Sequence, residues 1–200
     1  MGGQFVDVGS SSDSTISLNS LVAQGDSIDG CVSLSTIDTF GYTASTYVWA
    51  DWGETEVGWV DDNMEFVTDV TIAPGTAFWV QADVDGVTLQ SSGAVEKSDV
   101  TITYDNSGYS LASNPYPTSV LMSEIIALGE GLDGCISLSI IDDQGYTEAT
   151  YVWADWGGDD VGWVDDNMEF VTDATIGAGQ GFWVQVDVDS ASLRFPAIEL

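Results

Sequence analysis

Residue i of this chain matches residue i+104 without a gap, Gly30 to Gln90 running against Gly134 to Arg194. Roughly 70% of these pairs are identical, well past chance, so the chain is a tandem duplication of one unit. Two runs carry the match. TYVWADWG at Thr46 to Gly53 returns at Thr150 to Gly157, and VGWVDDNMEFVTD at Val57 to Asp69 returns at Val161 to Asp173. Whatever surface the first copy presents, the second presents again. Upstream the likeness fades, where GSSSDST at Gly9 to Thr15 faces SNPYPTS at Ser113 to Ser119.

Within a unit the apolar period is two, as half-buried strands require. Val32 and Leu34 oppose Cys31, Ser33 and Ser35, and Ile136 and Leu138 repeat this. Phe78, Val80 and Ala82 share one face against Trp79, Gln81 and Asp83, while Tyr47, Trp49 and Asp51 oppose Val48, Ala50 and Trp52. Asp29-Gly30, Phe40-Gly41, Pro74-Gly75 and Asp85-Gly86 are turn formers at spacings that suit short antiparallel connections. The helical candidates are LNSLVAQG, stopped at Gly25, and MSEIIALG, stopped at Gly129.

The expected fold is all-β: two tandem antiparallel β-sandwich-like units, residues 1–98 and 99–200, with one short helix or turn each. VTITY at Val100 to Tyr104 has no counterpart before Gln4. It opens the second unit or closes the first, and either way one unit is a strand short. The open edge that results is either blunted by a loop or side chains or invites another chain's strand, in which case homo-oligomers or a head-to-tail polymer are expected.

The surface is extreme: 33 acidic side chains face only Lys97 and Arg194, a net charge of −31. Such a chain repels phosphate backbones and anionic lipid, which removes nucleic-acid and membrane-surface roles. No apolar run of about 18 residues is present to span a bilayer, and MGGQFVDVGSSSD lacks the basic start and apolar stretch of a signal peptide. Histidine is absent, which removes Ser-His-acid and Cys-His nucleophile systems and the commonest zinc ligand. No enzymatic activity is expected.

Acidity at this level serves solubility or high salt, or it binds Ca²⁺. The candidate metal ligands are Asp61, Asp62, Asp83 and Asp85, repeated as Asp165, Asp166, Asp187 and Asp189. The alternative is that these are turns whose carboxylates bond local amides. Crowded carboxylates without metal have raised pKa values and predict a fold that gains stability on acidification, whereas a calcium-held fold loses it. Trp52 and Trp59, repeated as Trp156 and Trp163, are either core residues or a platform for stacking sugar rings. Cys31 and Cys135 occupy equivalent places; a disulfide would tie the units together, and two thiols would suit a reducing compartment.

GYSLASNPYPTSV at Gly108 to Val120, YVWADW, IGAGQGFWVQ at Ile176 to Gln185 and ASLRF at Ala191 to Phe195 together form a pattern. It resembles a repeated accessory β-domain of large secreted bacterial surface and adhesin-like proteins, often exported by the type IX route. The likeness covers most of the second unit and extends to the first through the repeat. The first unit departs from it by lacking NPYP, and the basic tail that often ends such proteins is absent. The resemblance implies an extracellular or cell-surface location, surface proteins as partners, and no chemistry of its own. The expected function is therefore a structural or adhesive surface module, with glycan binding as the alternative.

Overall fold

The computed structural model describes residues 16–38, 40–53, 55–73, 75–91, 97–142 and 146–198, and the backbone of 3–5. The chain is all-β, built of antiparallel sheets that form no barrel among the described residues. The first copy holds β1 (Gly3–Phe5), β2 (Ile16–Ser17), β3 (Val22–Gln24), β4 (Val32–Ile37), β5 (Thr43–Asp51), β6 (Val57–Val60), β7 (Thr71–Ile72), β8 (Trp79–Ala82) and β9 (Thr88–Gln90). The second holds β10 (Val100–Tyr104), β11 (Gly108–Ser113), β12 (Val120–Leu121), β13 (Ile126–Leu128), β14 (Ile136–Ile141), β15 (Thr147–Asp155), β16 (Val161–Val164), β17 (Thr175–Ile176), β18 (Gly181–Val186) and β19 (Ala191–Phe195).

Each copy forms a five-stranded sheet with the same order, β1-β8-β4-β5-β6 and β11-β18-β14-β15-β16. Facing it are smaller sheets: β2-β7 and β3-β9 in the first copy, β12-β17 and β10-β19-β13 in the second. The layers close on one core per copy, which is the sandwich-like arrangement that period-two burial demands. Val32, Leu34, Phe78 and Val80 are sealed inside the first, and Ile136, Leu138, Phe182 and Val184 inside the second.

The duplication holds in three dimensions further back than the sequence match reaches. Ile16 pairs with Ile72 as Val120 pairs with Ile176, still 104 residues apart. Before that the offset changes to 106, because Phe5 pairs with Trp79 as Leu111 pairs with Trp183. The first copy thus has two more residues between its opening strand and Ile16, and the stretch facing NPYP lies there, outside the described residues.

VTITY belongs with the second copy. It pairs with β19 in register, Val100 opposite Phe195 through Tyr104 opposite Ala191. The helical candidates shrink to single 3-10 turns, Leu18–Ser20 and Met122–Glu124, and the residues after them become β3 and β13. The reason is a competing hydrogen bond. In a longer helix the Leu21 carbonyl would accept from the Gly25 amide. Here it accepts from the indole N–H of Trp59 at 2.7 Å, and the Ile125 carbonyl accepts from Trp163 at 2.8 Å.

The copies touch along β11. The Ser113 amide donates to the Gly75 carbonyl at 3.0 Å, and the Ala77 amide donates to the Leu111 carbonyl at 3.4 Å. Ala77, Leu111 and Ile141 form a small shared core, flanked by Ile37 and Trp183. Gly75 sits at φ +73°, with its missing side chain aimed at Ile102.

Candidate functional site

A hairpin loop after β6 builds the most distinctive surface of the chain, and the loop after β16 builds it again. The Asp61 amide donates to the Glu65 carbonyl, and Val60 bridges Phe66, so the chain turns back on itself over five residues. Asp61 holds the turn. Its Oδ1 accepts from the amides of Asn63 and Glu65, both at 2.9 Å, while Asn63 Nδ2 donates to Asp61 Oδ2 and to Asp62 Oδ1. Asp165 repeats every one of these contacts with Asn167, Glu169 and Asp166. The Glu65 and Glu169 amides, with the Asn side chains, hold the two carboxyls below the ordinary carboxylate range. These two groups thus move opposite to the rise expected of crowded carboxylates, because the hydrogen bonds from local amides outweigh desolvation.

Each loop walls an open groove against β5 or β15. Tyr47, Asp61, Asp62, Glu65, Phe66 and Asp69 line the first, and Tyr151, Asp165, Asp166, Glu169, Phe170 and Asp173 line the second. Partial burial, with the negative charges of Glu148, Asp165 and Asp173, raises the Tyr151 phenol above its ordinary pKa. The second groove therefore offers a phenolic donor among carboxylate acceptors. Such a lining suits hydroxyl-rich or cationic ligands and repels anions.

The four candidate platform tryptophans separate into two pairs. Trp59 and Trp163 are 0% and 1% exposed, packed edge-on against Trp49 and Trp153 at 5.3 Å, so they cannot meet a ligand. For this pair the core alternative holds: the ends of β6 and β16 are enclosed on both faces, Val60 and Val164 being as buried as Trp59 and Trp163 beside them. Trp52 and Trp156 are 46% and 49% exposed. Each lies edge-on against a groove phenylalanine, Trp52 on Phe66 at 4.9 Å and Trp156 on Phe170 at 5.0 Å. A half-exposed indole thus packs on a phenylalanine of each groove without itself lining it. Phe66 and Phe170, which complete it, were missed in the sequence; the signal was their place within the longest repeated run.

The candidate metal ligands do not converge. Among the described residues no three carboxylate or thiol groups form a cluster that could hold an ion. Asp61 and Asp165 are committed to backbone amides, and Asp83 and Asp187, just past the ends of β8 and β18, accept from Gln81 and Gln185 two residues before them. Asp85 and Asp189 sit in the turns that follow. The donor set does not fit Ca²⁺, whose six to eight oxygens must meet at one point. Asp29, Asp38 and Asp51 likewise accept from nearby amides, so carboxylates serve turns throughout the chain. Cys31 and Cys135 are separate half-buried thiols, one per copy, and form no disulfide.

NPYP has a structural role. Asn114 is fully buried; its Nδ2 donates to the carbonyls of Thr118, Ile176 and Gly177, and its Oδ1 accepts from the Tyr116 amide. The Tyr116 hydroxyl donates to the Ser98 carbonyl at 2.6 Å, tying the loop to the segment that leads into β10.

No family profile, curated protein or solved structure matches this chain.

Proposed function

We propose that the chain is a non-enzymatic structural and adhesive module of an extracellular or bacterial cell surface. The carrying observation is the duplicated outward surface: an acid-lined groove and, packed on its phenylalanine, a half-exposed indole, once per copy, built from the most strongly repeated residues. Two like sites on one chain engage a multivalent surface with avidity, which raises apparent affinity about a hundredfold or more when both sites reach it. Partners of this kind are other surface proteins, further copies of the chain, or glycans. Beads coated with the protein should adhere to bacterial surface material. Replacing both Trp52 and Trp156 by Ala should reduce adhesion far more than either single change. Equal adhesion by the double variant would end the reading.

The exposed Trp52 and Trp156 favour glycan as the second reading, since an indole face stacks on a sugar ring beside acceptors for its hydroxyls. Titration with neutral oligosaccharides should shift the tryptophan emission, and the shift should vanish in Trp52→Ala with Trp156→Ala. Constant emission across a broad glycan set would remove this alternative.

A further inference from the structure

The two copies meet where Ala77, Leu111 and Ile141 pack together, and beside that contact they part into a groove of about 350 Å³ that neither copy builds alone. One wall is the outer face of the first five-stranded sheet. Trp79 and Gln81 point outward from β8 because Phe78 and Val80 fill the core, and Ser35 lies opposite Trp79 on β4. Ile37 and Thr43, paired across β4 and β5, extend this wall. The other wall is Trp183, the repeat counterpart of Trp79, with Leu111 opposite it on β11. Contacts on two sides fix the spacing. On one, Gly75 and Ala77 bond to β11; on the other, Phe40 bridges Tyr109, and a methyl group on Gly41 would touch both Tyr109 and Trp183.

The lining names a class of ligand. In a chain of net charge −31, none of the described residues around this groove is charged. Cations are drawn instead to the acid-lined grooves, and anions are repelled by the whole molecule, so a neutral ligand fits here. Two indoles supply flat apolar faces. Around them stand the hydroxyls of Ser35 and Thr43 and the carboxamide of Gln81, which spends one N–H on Asp83 and keeps its oxygen for a ligand. Apolar faces edged by hydroxyl and amide groups match a sugar ring, whose C–H face stacks on indole while its hydroxyls reach sideways. The volume falls at the small end of the ~300–1,000 Å³ typical of ligand pockets, which suits a short stretch of sugar.

We propose that the groove between the copies binds a neutral oligosaccharide, one per chain, with Trp79 and Trp183 as its stacking faces. The site shares no lining residue with the acid-lined grooves and does not rest on the adhesive reading. Among the described residues it occurs once, since Ile141, the counterpart of Ile37, is sealed in the contact between the copies.

The test is titration calorimetry of the full chain with neutral hexasaccharides of glucose, mannose and N-acetylglucosamine, beside an acidic galacturonate oligomer and a proline-rich peptide. Saturable binding of a neutral sugar at one site per chain is expected, with none of the acidic oligomer. Trp79→Ala and Trp183→Ala should each weaken it about tenfold or more. Gln81→Leu with Thr43→Val, both at exposed positions, should weaken it about fivefold or more and decides the matter if an indole variant fails to fold. Binding should persist in Trp52→Ala with Trp156→Ala, where glycan held by those indoles alone would be lost. Silence across the neutral sugars, two sites per chain, or loss only in the Trp52 and Trp156 variant overturns the proposal. Peptide binding that Trp79→Ala abolishes, with no sugar bound, would give the groove to a polypeptide and overturn the choice of ligand. Sugar binding without adhesion to bacterial surface material removes the adhesive reading and leaves this site standing; adhesion without sugar binding does the reverse.

Discussion

Replacing Trp59 by Phe should be among the costliest conservative changes in the first copy, and replacing Trp52 by Phe among the cheapest. Trp59 is fully enclosed, and its indole N–H donates to the Leu21 carbonyl at 2.7 Å. Phenylalanine removes the donor and leaves that carbonyl unpaired in the interior, at about 1–3 kcal/mol. It also removes one ring of the indole from a packed core, adding about 1 kcal/mol for the space left behind. The sum is about 2–4 kcal/mol, a large share of the ~5–15 kcal/mol that holds an ordinary domain. Trp52→Phe keeps an aromatic contact with Phe66 at a half-exposed position and should cost about 0.5 kcal/mol or less. Trp163→Phe and Trp156→Phe should reproduce both results in the second copy. Guanidinium unfolding followed by far-ultraviolet circular dichroism measures all four. Near-equal costs for Trp59→Phe and Trp52→Phe would refute the division into core and surface pairs.

Tyr104→Phe should be neutral or stabilising by about 1 kcal/mol, because the buried hydroxyl has no hydrogen-bond partner among the described residues. Burial pushes that phenol well above its ordinary value, so the fold resists its ionisation and loses stability as pH rises above about 10, where the unfolded chain's phenol ionises. Alkaline unfolding should accordingly shift upward in Tyr104→Phe. Asp61 and Asp165 have lowered pKa values, so their contribution is present above the ordinary carboxylate range and is lost as pH falls through their folded values. Asp61→Asn with Asp165→Asn should flatten the fall in denaturant midpoint between about pH 4 and pH 2, and an unchanged slope would refute their role. Gly75→Ala places a side chain in a left-handed conformation and against Ile102, and should cost about 1–2 kcal/mol by thermal unfolding. Its effect should fall on the contact between the copies.

The burial of Val32, Leu34, Phe78 and Val80 was legible because period two is a local property, written into neighbouring residues. The turns at Gly30, Gly41, Gly75 and Gly86 were legible for the same reason, since each needs a positive φ. The candidate site was legible only as residue types. Trp52 and Trp59 look alike in sequence, seven residues apart in equally aromatic runs, yet one is half-exposed and the other enclosed. Their fates depend on hairpin register, which is set by partners outside either run. The acid pairs read as turns ahead of calcium, and the amides of Asn63 and Glu65 on one Asp61 oxygen show the turn.

Duplication, all-β character and the exclusion of histidine chemistry follow from the order and kind of residues alone, because each is a statement about composition or short-range period. Which copy keeps Val100–Tyr104, which tryptophans meet solvent, and whether two distant cysteines meet are questions of long-range pairing. Only the folded chain decides them, since strands far apart in sequence choose each other by the core they jointly close.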